Sequence, residues 1–237
     1  MTAIEGARAR ARREVTAAIK DEARRQLATE GAAKLSLRAV ARELGMASSA
    51  LYRYFPSRDD LLTALIIDAY DAVGGAAERA LARADAAPLA RWTAVCRAVR
   101  RWALAHPHEY ALIYGSPVPG YAAPQDTTGP AARVGLALIR VVEDAHAAGA
   151  CPAPDDPSLP KKVLADAERL RKTLGVRLPA PALVAATAAW AELFGLVSFE
   201  LFGQFNRVVD ARDAFFERAV TRLAGDVGLS AAEESGA

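Results

Sequence analysis

Ser48, Ser49, Tyr52, Arg53 and Tyr54 fall within seven consecutive residues, and what they share is hydrogen-bonding reach rather than an acid–base pair. Hydroxyls, a guanidinium and phenol rings on one short protruding element suit the base edges of a major groove and the phosphates beside it. Bond-making chemistry has no comparable candidate. The sequence holds no Gly-rich phosphate loop, no G-x-S-x-G elbow and no nucleophile beside a base. Its three histidines are His106, His108 and His146. The run His106-Pro107-His108-Glu109 reads as a helix boundary, since no further Cys or His accompanies it as a metal ligand. Neither an enzyme, a cofactor nor a metal site is expected.

Two short helices must position those side chains. Leu37, Val40, Ala41 and Leu44 recur at i, i+3, i+4 and i+7, which predicts a helix from about Leu37 to Leu44 with Ser36 as its N-cap. Gly45 follows where the chain must turn sharply, and Met46 packs inward. A second helix from about Ser48 to Tyr54 buries Leu51 and Phe55, shows its polar residues on the other sides, and stops at Pro56. Ser36, Arg38, Ser48, Ser49, Tyr52, Arg53, Tyr54 and Arg58 are the candidate contacts to duplex DNA.

This stretch resembles the signature of the tetracycline-repressor (TetR) family of bacterial transcriptional regulators, through A-x-x-L-G over Ala41 to Gly45 and L-Y-x-Y-F-x-S-[KR] within Leu51 to Leu62. Ala47 departs from the Ser or Thr that the family usually places as the cap of the second helix, so capping is expected to fall to Ser48. A second resemblance, over roughly Pro88 to Gly225, is to a TetR subgroup marked by Trp-x-x-x-His-Gly. Here the motif reads Trp190-Ala191-Glu192-Leu193-Phe194-Gly195, with Phe194 in the histidine position.

The formal charge of +2 divides unevenly. Met1 to Arg58 holds twelve Lys and Arg against six Asp and Glu, and the remainder holds 18 against 22, so the positive charge gathers at the end expected to face DNA. Arg8, Arg10, Arg12 and Arg13 form a basic arm ahead of the first helix, either solvated or in contact with phosphates or a minor groove. Cys96 and Cys151 are the two cysteines. Their spacing indicates neither a disulfide framework nor zinc, and a reducing cytoplasm is the expected compartment. The N-terminus lacks a signal-peptide core, and Glu192 and Glu200 interrupt the longest apolar helix, so no membrane span is expected.

The rest of the chain reads as all-α, with no period-two runs of β-branched residues. Helices are expected at about 15–30, then a long one from Asp59 with Gly74-Gly75 as a bend, and then about 88–106, 107–114, 131–148, 161–174, 181–205 and 210–227. Between them lie a loop over Gly115 to Pro130, disordered or lining a pocket, and a Pro-rich break from Cys151 to Pro160. The expected domains are residues 1–58 for DNA binding, 59–228 for regulation and dimerisation, and 229–237 as a flexible tail.

Trp92, Cys96, Trp102, Tyr110, Tyr114 and Tyr121 are either core packing or, since the resemblance implies an effector pocket in this domain, its lining for an apolar or aromatic small molecule. Trp190, Phe194, Val197, Leu201, Phe216 and Val220 lie on two strongly apolar helices, which form either a two-fold interface in a homodimer or an intrachain core. The combined reading is a homodimeric repressor released from an operator by an effector. The alternative is an effector-independent dimeric DNA-binding protein.

Overall fold

Ten α-helices and two 3-10 turns make up the computed structural model, which describes residues 3–151 and 158–229, with no strand among them. Packing divides the chain into two units, the first running to Asp71 and taking in His106–Pro130, the second holding Ala72–Ala105 and the residues from Ala131. The division therefore differs from the boundary expected at Arg58. Residues 107–121 explain why: Leu112, Val118 and Tyr121 pack against the core of the first unit.

The first unit is built on α1 (Ala3–Glu30), α2 (Leu37–Glu43), α3 (Ser48–Leu51) and the first half of α4 (Arg58–Arg83). Ile19, Ala23 and Leu27 of α1 meet Val40, Ala41, Leu51, Phe55, Leu61 and Leu65 in one apolar cluster. Helix α1 begins about three turns earlier than expected, so Arg8, Arg10, Arg12 and Arg13 stand on a helix rather than on an arm. Ser57 caps α4, its Oγ accepting the Asp60 N–H at 3.1 Å, and Asp59 and Asp60 occupy the first turn where the helix dipole favours them. Lys20 and Arg24 of α1 both bind Asp68 of α4, at 2.8 and 2.7 Å. Helix α6 (Pro107–Tyr114) starts with Pro107, whose missing N–H costs nothing there.

In the second unit α5 (Pro88–Ala105), α9 (Ala180–Leu201) and α10 (Arg212–Asp226) pack on one another, and α8 (Lys161–Leu174) lies on α9. Helix α7 (Thr128–Ala147) starts three residues before the expected position and absorbs the end of the Gly115 to Pro130 loop, which also holds a 3-10 turn at Gln125–Thr127. Gly74 and Gly75 do not break α4. A Cβ at Gly74 would stand 2.6 Å from the Arg133 Cβ, so the glycine is there to let α7 approach closely.

By length and composition α9 is apolar enough to cross a membrane. Its partners α5, α8 and α10 make it a core helix instead. Its charge at Glu200 is buried and answered: Arg100 of α5 binds both carboxylate oxygens at 2.7 Å, adds Asp213 of α10 at 2.7 Å, and lies over the Phe216 ring at 4.9 Å. A second bidentate pair joins Arg97 to Glu217, and the buried Trp92 Nε1 donates to Val220 O at 3.2 Å.

This packing corrects the expected two-fold seam. Phe194, Val197, Phe216 and Val220 are buried inside their own chain, while Trp190 and Leu201 keep partial exposure. Helical periodicity marks apolar faces without saying which neighbour covers them. Beside Trp190, other apolar side chains are more exposed: Phe199 is 52% exposed, Phe202 and Phe215 42%, and Val208 73%. Phe205 bridges Phe199 and Phe215 with ring centroids 5.7 and 5.5 Å away. Of the tail expected at 229–237, Leu229 is buried, its N–H bound to Ala224 O at 2.8 Å. Residues 230–237, like most of the Pro-rich break, lie outside the described residues.

Arg100→Ala strands the buried Glu200 carboxylate, so urea unfolding should show a loss of about 3–5 kcal/mol, as for other buried pairs cut on one side. The double variant Arg100→Met/Glu200→Leu should regain most of it. Equal losses in the two variants would show that the pair is not what holds α5 to α9.

Candidate nucleic-acid interface

A short helix pair presents a surface only if its turn is fixed, and here the backbone fixes it. Gly45 adopts φ 64°, Met46 N–H returns to Ala41 O at 2.8 Å and Gly45 N–H to Arg42 O at 3.1 Å, closing α2 in a Schellman motif. At the other end Ser36 Oγ accepts the Ala39 N–H at 3.4 Å, while the Ser36 N–H donates to the buried Gln26 Oε1 at 3.4 Å. Ser36 is thus a helix cap, as expected. The sequence reading missed Gln26, which carries no signal beyond its place beside the apolar stripe of α1.

Helix α3 is shorter than expected. It covers Ser48–Leu51, and Tyr52 to Tyr54 continue as turns, with Tyr54 N–H on Leu51 O at 2.8 Å. Ala47 holds the N-cap position with no side-chain cap bond, so Ser48 does not take over capping. Its hydroxyl stands exposed in the first turn, as do the side chains of Ser49, Tyr52 and Arg53, with Arg38 exposed on α2. Leu51 and Phe55 face inward as expected.

Two candidates are committed elsewhere. Tyr54 is half-buried against the core, with the Arg12 guanidinium 5.2 Å from its ring centroid, and Arg12 Nη2 also donates to Arg53 O at 3.4 Å. Arg58 turns inward, its Nη2 donating to Ala32 O at 2.9 Å and Ala33 O at 3.3 Å, which ties the start of α4 to the α1–α2 connection. A basic residue at this motif position looks like a phosphate contact in sequence; its geometry is that of a brace.

The six residues expected to line a pocket do not come together in one unit. Tyr110, Tyr114 and Tyr121 belong to the first unit, where Tyr114 lies 5.1 Å from the Tyr110 ring and 5.8 Å from Tyr70, and the Tyr121 and Thr63 hydroxyls share a 2.9 Å hydrogen bond. Burial pushes the Tyr70 and Tyr114 phenols up, so both stay protonated at neutral pH. Trp92, Cys96 and Trp102 are core residues of the second unit, and burial also raises the Cys96 thiol. A groove of about 910 Å³ in the second unit touches none of the six. Among the described residues no group of three His, Cys, Asp or Glu could hold a metal.

Arg58→Ala removes both bonds to the α1–α2 connection and should lower stability by about 1–3 kcal/mol, the range for hydrogen bonds to a charged donor. Arg58→Lys should recover part of this. Thermal unfolding followed by circular dichroism measures it, and an unchanged midpoint would return Arg58 to the DNA-facing set.

Known proteins are similar to this chain over most of its length. Residues 19–65 match the bacterial regulatory proteins of the tetR family, and residues 92–223 match the tetracyclin repressor-like C-terminal domain. The HTH-type transcriptional regulator Rv1816 of Mycobacterium tuberculosis is 42% identical over 206 residues, 85% of this chain and 86% of that protein. The crystal structure of SCO4313 superposes with a TM-score of 0.74 at 39% identity, covering 91% of this chain and 98% of the other. A protein from Rhodococcus sp. RHA1 gives a TM-score of 0.66 at 25% identity, covering 91% and 95%. The chain belongs to the TetR family of helix-turn-helix transcriptional regulators.

Proposed function

We propose that the protein is a cytoplasmic, homodimeric repressor that holds an operator through paired recognition helices and releases it when a small-molecule effector binds. One observation carries the DNA-facing part of this reading: Arg38, Ser48, Ser49, Tyr52 and Arg53 stand exposed around a helix pair locked by its own caps. On this reading Arg53 and the α3 hydroxyls reach base edges, and Arg38 reaches a phosphate. Two copies place two such surfaces about one helical turn of DNA apart, about 34–36 Å, and an effector that favours a different spacing weakens both contacts at once.

The exposed phenylalanines supply the dimer. Phe199, Phe202 and Phe215 leave more aromatic surface uncovered than a monomer keeps without reason, and a second copy of α9 and α10 covers it by two-fold symmetry. The effector-independent alternative draws support from Trp92 and Cys96, which are fully buried where the sequence pointed to a pocket.

Fragments selected from genomic DNA by the purified protein provide the test. Arg53→Ala should relax base preference in the selected set by about 1–3 kcal/mol at one position. Affinity should fall with log salt at a slope of about −0.9 per neutralised phosphate. Selection of no common sequence, or an unaltered preference in Arg53→Ala, overturns the assignment.

Phe199→Asp should dissociate the dimer and abolish operator binding while the helical content stays. Phe194→Asp, whose ring is buried in its own chain, should unfold the second unit. Light scattering and circular dichroism separate the two. A dimeric Phe199→Asp protein with normal operator binding would move the interface off this face.

A further inference from the structure

We propose that the groove of the second unit binds an amphipathic organic anion, a carboxylate on an apolar body; that this ligand is the effector rests on the regulator reading above. The groove lies between the end of α4, the start of α5, α7 and the α8–α9 connection, and its volume of about 910 Å³ is within the range of small-molecule sites, about 300–1,000 Å³.

Its floor is apolar. Leu81, Leu136, Ala137, Ile139, Leu174 and Val176 line it. Leu136 is 38% exposed although its helix is otherwise charged on that side. Covering such surface with a hydrocarbon or aromatic body is favourable, and needs no rearrangement of the wall.

Its charges leave a positive remainder. Glu78 takes two nitrogens of Arg133 at 2.8 and 2.6 Å, and this pairing holds its carboxyl below the usual range. Asp144 accepts from Arg91 at 2.7 Å. Glu143 accepts the backbone N–H of Arg177 at 2.6 Å. All three carboxylates of the groove are thereby hydrogen-bonded, and the four arginines that line it outnumber them by one. The guanidiniums of Arg140 and Arg177 also line the groove, are exposed, and form no ion pair among the described residues.

Arg177 is held in place before any ligand arrives. Gly175 closes α8 at φ 67°, Val176 N–H returns to Arg171 O at 3.2 Å, and the Glu143 bond then fixes the Arg177 backbone. A planar guanidinium carried from a fixed backbone at the rim of an apolar cleft matches a carboxylate by paired N–H···O bonds. A neutral apolar ligand would leave both guanidiniums unused, a cation would be repelled by them, and inorganic phosphate would leave the floor uncovered.

Calorimetric titration of the full chain with octanoate, dodecanoate and naphthoate, each against its matched alcohol, tests the site. At least one acid should bind about tenfold or more tighter than its alcohol, the increment of one charged hydrogen-bonded contact. Arg140→Gln/Arg177→Gln should lose at least that factor while keeping helicity and operator affinity, and Leu136→Asp should weaken acid and alcohol alike. No binding by any acid, equal binding by acid and alcohol, or an unaffected double variant overturns the proposal. So does a double variant altered in dimerisation but not in acid binding, which would make the groove a contact between copies. The DNA arm is separate. An acid that binds through Arg140 and Arg177 yet leaves the operator complex intact supports the site and overturns its role as effector; absence of operator binding without ligand overturns the regulator reading and leaves the titration standing.

Discussion

A helix of four residues cannot hold its shape in water, because nucleation fixes several residues for a single hydrogen bond. Helix α3 covers only Ser48–Leu51, and much of the first unit exists to keep it in place. Leu51 and Phe55 anchor it in the apolar cluster, Gly45 and Met46 set its angle to α2, and Arg12 takes the Arg53 carbonyl from the far side. Gln26 fixes the entry to α2, and Arg58 fixes the exit toward α4. None of these groups needs to touch DNA for the surface to depend on it.

The second unit solves a different problem, that of a helix too apolar to leave a polar face. Helix α9 carries only Glu192 and Glu200 as charged residues, so orientation must come from its few polar atoms. Glu200 supplies it: a buried carboxylate has one acceptable partner arrangement, and Arg100 with Asp213 sets α5 and α10 around it. At the C-terminal end of α9 the aromatic side chains are only partly covered by their own chain, and this is where Phe199 and Phe202 stand exposed.

What could be read from residues alone follows the range of the interactions. The Ser36 cap, the Gly45 turn and the inward Leu51 and Phe55 are set within a few positions of one another, and all appear in the structure as the spacing predicts. The intrachain contacts of Arg58 and Tyr54 are not legible in the local spacing, because their partners, Ala32, Ala33 and Arg12, lie some 25 to 42 positions away. Gly74 looked like a bend because its reason, the Arg133 side chain, is on another helix. The same limit explains the pocket and the seam. Periodicity shows that Trp92, Phe194 and Phe216 are apolar positions on a helix, and burial within one chain or between two follows only from which helices meet.

The path of the chain also decides which segments each unit is built from. The backbone leaves the first unit at Asp71, returns at His106 and leaves again at Pro130. The first crossing lies inside α4, an uninterrupted helix from Arg58 to Arg83, and the last lies in the opening turn of α7. Only the middle one, at His106 and Pro107, falls on a break between helices. A helix transmits displacement along its axis because bending it strains a ladder of hydrogen bonds. Helix α4 itself is continuous from the Arg58 brace to Arg83, and Gly74 packs against Arg133 rather than breaking it. The segment that returns to the first unit brings Leu112, Val118 and Tyr121 onto the same core that holds α3. A repacking of those three side chains would reach Leu51 and Phe55 through one apolar cluster, so the position of α3 depends on a segment more than fifty residues further along the chain.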